Sequence, residues 1–320
     1  MEYGRLLTIN KPVSRLVQGT IMAEEGEQDA HNALFDAVLA AGINAFDTAH
    51  VYGNGAAELA FGRWMNSRGV RDELFIIGKG AHHNSVRKRV TPFDISADIH
   101  DSLGRMGTEY IDLYLLHRDD TAVSVGPIIE RLHAHKQAGQ ILAYGGSNWS
   151  HERIAEANAY AAANGLDPFT ASSPQFSLAT QAKPPWAGCI SVSGAAGKAA
   201  REWYAAQDMP LFCWSSLAGG FMSGRFRPNS LASFTDYLDK VCVETYCFDD
   251  NWARLARAEQ LAADKEVSLP QLAIAYVLQQ PQPMFALIAC YTPEQVADNV
   301  QATTIQLSPD ELAWLEGTGD

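Results

Sequence analysis

Four side chains in the N-terminal half, Asp47, Tyr52, Lys79 and His117, form a set that can move a proton to a carbonyl oxygen. A free tyrosine has a pKa near ~10, too high to donate readily at neutral pH. A neighbouring ammonium favours the phenolate and lowers that value. A carboxylate beside the ammonium keeps it charged and in place, and a neutral imidazole hydrogen-bonds a substrate oxygen and orients it. Together they can protonate an alkoxide as it forms, a general acid contribution of roughly 10²–10⁴ in rate. The set contains no nucleophile and needs no metal. Each residue taken alone has a plainer reading: a turn cap for Asp47, a snorkelling side chain for Lys79, a core histidine for His117, a rim cover for Tyr52. Their shared placement tips the balance towards chemistry.

That placement follows from the elements. Eight short apolar runs read as strands: Leu16–Thr20, Ile43–Phe46, Leu74–Ile77, Ile111–Leu116, Ile141–Tyr144, Phe169–Ser172, Leu211–Trp214 and Phe285–Ile288. Amphipathic segments alternate with them. Leu34, Phe35, Val38 and Leu39 share one helical face ending at Gly42; Phe61, Trp64 and Met65, then Ile99, Leu103 and Met106, then Ile128, Ile129 and Leu132 before Gly139, mark the next helices, with another around Ile154. Ser268, Thr292 and Ser308 each offer an N-cap hydroxyl, a proline in the first turn and Gln or Glu three residues on. Eight β-then-α units without a polar linker predict one domain over 1–320. Its expected fold is a parallel (β/α)8 TIM barrel with a short N-terminal hairpin and extra C-terminal helices. A doubly wound sheet is the alternative, but no G-x-G-x-x-G opens its first helix. Segments 178–193 and 225–250 break the rhythm and read as lids, binding loops or irregular connections.

Barrel enzymes carry their sites at the C-terminal strand ends. The residues there are Gly19 and Thr20, Asp47, Lys79, His117, Ser147 and Asn148, Gln175, then Ser215 and Ser216. Tyr52 lies five residues past Asp47, within reach of the same opening.

Composition narrows the partners. Lys plus Arg number 24 and Asp plus Glu 37, a formal charge of −13. Such a chain repels nucleic acid and anionic lipid at long range, so neither is an expected partner. The five cysteines, Cys189, Cys213, Cys242, Cys247 and Cys290, are odd in number and form no Cys-x-x-Cys pair, which fits a reducing cytosol. No apolar stretch approaches the ~18–20 residues that span a bilayer, and Met1–Asn10 lacks the basic-then-apolar order of a signal peptide.

The segment Gly42-Ile-Asn-Ala-Phe-Asp-Thr-Ala-His-Val-Tyr-Gly-Asn-Gly-Ala-Ala-Glu58, followed by Ala60-Phe61-Gly62, resembles the first signature of the aldo-keto reductases. Four further matches follow in order: Ile111–His117, Gln140–Asn148, Trp214–Arg225 and Thr292–Asn299. The resemblance implies a TIM barrel that uses NADP(H) to reduce aldehydes or ketones, or to oxidise the corresponding alcohols. It implies that Tyr52 is the general acid, that Lys79 and Asp47 tune it, and that His117 orients the carbonyl. Ser147, Asn148 and Gln175 would hold the cofactor carboxamide, with Trp214 stacked on the nicotinamide. Gly19, Thr20 and Asp47 would also touch the cofactor; Ser215, Leu217, Gly220, Gly224 and Arg225 would wrap the pyrophosphate; Gln295, Asp298 and Asn299 would meet the adenosine. The expected partner is a small carbonyl or alcohol substrate, with oligomeric state open.

Two departures matter. The stretch Leu287–Tyr291 and Gln295 stand where many members carry a basic clamp for the 2′-phosphate, so NAD(H) is expected to be accepted well. In His117-Arg-Asp-Asp120, Arg118 and Asp119 are expected at the pocket rim, favouring a polar, sugar-like substrate, with His82 and His83 as further candidates. Two rival functions remain: a cofactor-binding regulatory or redox-sensing subunit, as some family members are, and an unrelated phosphate-binding barrel isomerase.

Overall fold

Ten strands form from the short apolar runs in the computed structural model, which describes residues 1–6, 8–24 and 27–318. They are β1 (Tyr3–Arg5), β2 (Pro12–Ser14), β3 (Leu16–Gly19), β4 (Ala45–Asp47), β5 (Phe75–Gly80), β6 (Ile111–Leu116), β7 (Ile141–Ser147), β8 (Ser172–Ser173), β9 (Leu211–Cys213) and β10 (Met284–Ile288). The first two pair antiparallel as the N-terminal hairpin. The other eight are parallel and close into a barrel in the order β10-β3-β4-β5-β6-β7-β8-β9, with helices between them. This is the expected (β/α)8 architecture, and β5 and β6 are buried at every position, as parallel strands covered on both faces are.

By density of internal packing the chain divides into two compact units, Met1–Ser173 with Ala289–Val296 and Pro174–Ile288 with Ala297–Asp320. In the first, α1 (Gln28–Ala40) and α2 (Ala56–Arg68) bury Phe35, Phe61 and Trp64 against Phe46 of β4. Phe35 meets Phe46 edge-on at 5.8 Å, and each such ring adds roughly 1.5–3 kcal/mol by burial. This cluster fixes β4, whose last residue is Asp47. Helix α2 in turn lies against α3 (Pro92–Met106) through Gly62, where a Cβ would stand 2.6 Å from Met106 Cα. The signature glycine is thus a close-approach glycine.

In the second unit Phe212 of β9 stacks on Phe285 of β10 at 4.4 Å. The helix Leu269–Leu278 opens with a capping box between Ser268 and Gln271, and Pro309–Glu316 does the same with Ser308 and Glu311. The third expected box differs: the Gln295 side chain accepts from the backbone N–H of Tyr291 instead of that of Thr292.

Several boundaries move for identifiable reasons. β5 and β7 run three residues past their apolar cores because the ladder continues through Gly78–Gly80 and Gly145–Ser147. The expected strand at 169–172 shrinks to Ser172–Ser173, since the N–H and carbonyl of Phe169 are taken by the Asn158 side chain. The supposedly irregular stretch 225–250 contains a helix, Tyr237–Tyr246, ahead of the helix Asp249–Asp264. No helix among the described residues is long and apolar enough to cross a membrane.

Candidate active site

Strand register brings the proton-transfer set together. Asp47 pairs with Ile77, and Lys79 lies two residues further along β5, hence on the same face. Lys79 pairs with Leu115, and His117 lies two residues past it, again on that face. Leu115 pairs with Gly145, so Ser147 comes level with His117. A residue period of two thus carries the sequence pattern of strand ends into one row of side chains within the first unit.

Tyr52 reaches that row by a tethered loop. Beyond β4 the backbone stays tied to β5, through Thr48 N–H to Ile77 O and His50 N–H to Lys79 O, both 2.8 Å. The turn Tyr52–Gly55, with Gly53 and Asn54 at φ 52°, then swings the phenol back. Lys79 Nζ lies 5.0 Å from the centroid of the Tyr52 ring, and that ring meets the His117 imidazole edge-on at 5.8 Å. Lys79 Nζ hydrogen-bonds Asp47 Oδ1. Asp47, Lys79 and His117 are 2, 3 and 8% exposed, whereas Tyr52 is half-buried.

Charges follow from this geometry. Desolvation pushes the Asp47 carboxyl up, and Lys79 opposes it. Desolvation likewise works against the Lys79 ammonium, but Asp47 and Tyr52 together hold its pKa above the ordinary value, so the ion pair persists. The sequence expectation of a lowered tyrosine pKa is corrected: desolvation raises the Tyr52 phenol, outweighing the downward pull of Lys79. Tyr52 therefore holds its proton firmly until a stronger base forms beside it. His117 is driven well below the usual histidine range, by burial first and then by Lys79 and Arg118, so its imidazole is neutral.

Supporting residues escaped the sequence reading. Asp98, fully buried on α3, accepts from the Ala81 N–H at 2.8 Å and pairs with Arg89, holding the turn after Lys79. Arg105 donates to His50 O and to the buried Glu58, anchoring the loop that carries Tyr52. The available signal was an acid, Asp98, in the apolar stripe of Ile95, Ile99 and Met106. Among the described residues, five of the seven non-glycine residues at positive φ lie just past strand ends or in the turns that follow: Asn54, Ala81 and Asn148 in the first unit, Ser215 and Ala218 in the second.

The remaining candidates fall into the two units as follows. In the first, Gly19 ends β3; Thr20 hydrogen-bonds Thr48; Ser147 donates to Ser173 O; Asn148 donates to His117 O and Ser147. Gln295 lies on the surface. In the second, Gln175 is fully buried, and its amide is engaged by Ser177, Ser191 and Ser193. Trp214 Nε1 is buried without a partner among the described residues, and Trp186, missed from sequence, lies 6.4 Å from it ring to ring. Ser215 and Leu217 lead into a turn with Gly219, Gly220 and Gly224 at positive φ. Arg225 is paired with Asp239, Asp298 accepts from Gln271 and Ser268, and Asn299 is buried. Of the two residues expected at the pocket rim, Arg118 is 7% exposed and Asp119 pairs with Arg153.

In the first unit a nicotinamide cofactor fits at Asp47. Asp47 Oδ2 is a buried acceptor with no partner among the described residues, suited to a ribose hydroxyl; in the second unit, taken by itself, Trp214 Nε1 is a donor with none among those residues. At Gly220 a Cβ would meet nothing nearer than 3.7 Å, leaving backbone open to a phosphate.

The family model described as Aldo/keto reductase family matches residues 15–319. A probable voltage-gated potassium channel subunit beta of Oryza sativa is 25% identical, covering 99% of this chain and 96% of that protein. A putative aryl-alcohol dehydrogenase of Saccharomyces cerevisiae is 26% identical (98% and 86% covered), and an aryl-alcohol dehydrogenase [NADP(+)] of Phanerodontia chrysosporium is 24% identical (91% and 76%). With the proton-transfer row intact and the match running over nearly the whole length, the chain belongs to the aldo/keto reductase family.

Proposed function

We propose that this oxidoreductase is an NAD(P)(H)-dependent reductase of aldehydes or ketones, reversible to alcohol oxidation, with residues 1–320 serving as one functional domain. The observation that carries it is Lys79, bonded to Asp47 on one side and 5.0 Å from the Tyr52 ring on the other. Tyr52 donates its phenolic proton to the carbonyl oxygen as negative charge develops there. The Lys79 ammonium stabilises the phenolate left behind, and Asp47 keeps that ammonium charged. The neutral His117 imidazole supplies an N–H to the same oxygen and orients it. When bound, the nicotinamide supplies or accepts the hydride. Asp47 Oδ2 would take a ribose hydroxyl; Ser147, Asn148 and Gln175 the carboxamide; Trp214 the ring; Gly19 and Thr20 the edge of the cofactor. Ser215, Leu217, Gly220, Gly224 and Arg225 would hold the pyrophosphate, and Gln295, Asp298 and Asn299 the adenosine. No disulfide joins the cysteines among the described residues, which suits the cytosol.

Steady oxidation of NADPH or NADH with an aromatic aldehyde tests the proposal. Tyr52→Phe should lose about 10²–10⁴ in kcat while cofactor binding, followed by fluorescence, persists. A Tyr52→Phe enzyme within tenfold of the parent removes Tyr52 as the acid. A parent that binds cofactor and turns over no carbonyl points to the regulatory alternative.

A further inference from the structure

Three cationic side chains other than histidine are buried among the described residues: Lys79, Arg118 and Arg153. Lys79 pairs with Asp47, and Arg153 pairs with Asp119 at 3.3 Å and Glu156 at 2.9 Å. Arg118 has no carboxylate within 4 Å among those residues. Among those residues its side chain makes one hydrogen bond, from Nη1 to His117 O at 2.9 Å, and Nε is buried with no partner. The acids next to it in sequence are committed elsewhere: Asp119 to Arg153 and Asp120 to Lys88.

A buried charge is costly unless paired, and a guanidinium does not escape by losing its proton. No neighbour supplies the counter-charge. His82 packs edge-on against His117 at 4.8 Å and His83 lies against His82 at 4.5 Å. Burial brings His82 down to about 4 and lowers His83 as well, so with His117 all three imidazoles are neutral near pH 7. Asp47 and Lys79 cancel. One uncompensated positive charge therefore remains on the residue hydrogen-bonded to His117 O, and the His117 ring meets Tyr52 at 5.8 Å.

Building on the reductase activity proposed above, we propose that Arg118 is a substrate-anion site: the carbonyl substrate carries one carboxylate, which docks on the Nε–Nη2 edge of Arg118 while its carbonyl oxygen lies at Tyr52 and His117. The fork of a guanidinium matches a carboxylate in two parallel hydrogen bonds. A single unpaired cation matches a single negative charge; a phosphate dianion would leave one charge unmet. Arg118 is then a specificity residue, and the preferred substrates are oxo acids and carboxylated aldehydes.

The test compares 4-carboxybenzaldehyde with its neutral methyl ester, methyl 4-formylbenzoate, in the parent, Arg118→Met and Arg118→Lys. The parent should favour the carboxylate in kcat/KM, mainly through KM. The carboxylate-to-ester ratio should fall by roughly 10- to 100-fold in Arg118→Met, the worth of a charge-assisted hydrogen bond, and by an intermediate amount in Arg118→Lys, which keeps the charge and loses the fork. An unchanged ratio overturns the proposal. So does a parent that prefers the ester, or one that prefers 4-formylphenyl phosphate tenfold over the carboxylate. A tenfold rise in KM for the cofactor in Arg118→Met would place the anion on the cofactor and also overturn it. If Arg118→Met does not fold, the ratio in Arg118→Lys decides. Binding of 4-(hydroxymethyl)benzoate, read by thermal shift, separates the two levels. Arg118-dependent binding without turnover of either aldehyde defeats the reductase activity and keeps the anion site. Equal turnover of both aldehydes with no Arg118-dependent binding does the reverse.

Discussion

At the residue scale, burial more than bulk water sets the protonation of Asp47, Lys79 and His117, and it also shifts the half-buried Tyr52, the proposed acid. His117 is held neutral, and burial lifts the Tyr52 phenol above its ordinary value. Reduction requires Tyr52 protonated, and it stays protonated as long as pH lies below that raised value. Imidazolium formation at His117, His82 and His83 is displaced to acid pH, because all three are shifted downward, His82 to about 4. The expected pH profile of kcat/KM for aldehyde reduction is therefore flat between about pH 6 and pH 9, with no histidine limb near the ordinary value of ~6.5. A stopped-time assay across buffers of constant ionic strength checks this; a tenfold change with a midpoint between pH 6 and 7 contradicts it. That Asp47, Lys79 and His117 share one row was legible because they follow apolar runs, where side-chain alternation alone decides the face. The direction of the tyrosine shift was not, because desolvation depends on what surrounds Tyr52 after folding, while the sequence shows only the charges that accompany it.

At the element scale the strands were legible wherever an apolar run pairs with neighbours over its whole length, as β6 does at Ile111–Leu116. They were less so where glycine and serine continue a ladder, as in β5 and β7, or where a side chain from another element, Asn158, captures the backbone. Residues 225–250 hid the helix Tyr237–Tyr246 because its flanks, rich in aromatic and polar residues, obscure a short amphipathic pattern. The helix Pro293–Val300 carries a consequence for cofactor choice. It contains Glu294 and Asp298 and no Lys or Arg, and Gln295 spends its carbonyl oxygen on the Tyr291 N–H. Arg225, which the resemblance places at the pyrophosphate, is paired with Asp239. A bound 2′-phosphate would gain no charge-assisted fork from this helix. The ratio of kcat/KM for NADPH over NADH should accordingly stay well below about a hundredfold, or ~2.7 kcal/mol of discrimination. Initial rates with both cofactors at one aldehyde concentration measure it, and a ratio above that bound rejects the thin-clamp account.

At the scale of the whole molecule, the same strand serves stability at one end and chemistry at the other. β6 places Asp112 near its start and delivers His117 just past its finish, about 16 Å away at the usual rise per residue. Asp112 is fully buried and satisfied on every side: Lys11 at 2.8 Å, Arg71 at 2.8 Å and the Ile76 N–H at 3.0 Å. It joins the segment after the hairpin turn, the connection before β5 and β5 itself to β6. Removing one member of such a buried network strands the others and costs about 3–5 kcal/mol. Asp112→Ala should therefore lower Tm by on the order of 10 °C, measured by calorimetry. Because the two ends of β6 share no partners, kcat/KM of the fraction that remains folded at low temperature should stay within a few-fold of the parent. That separation is what lets the loops and side chains beyond the strand ends change chemistry while the opposite ends hold the barrel. An Asp112→Ala protein that melts like the parent, or one that stays folded but loses activity as Tyr52→Phe does, would show that the two ends of β6 are not independent in this chain.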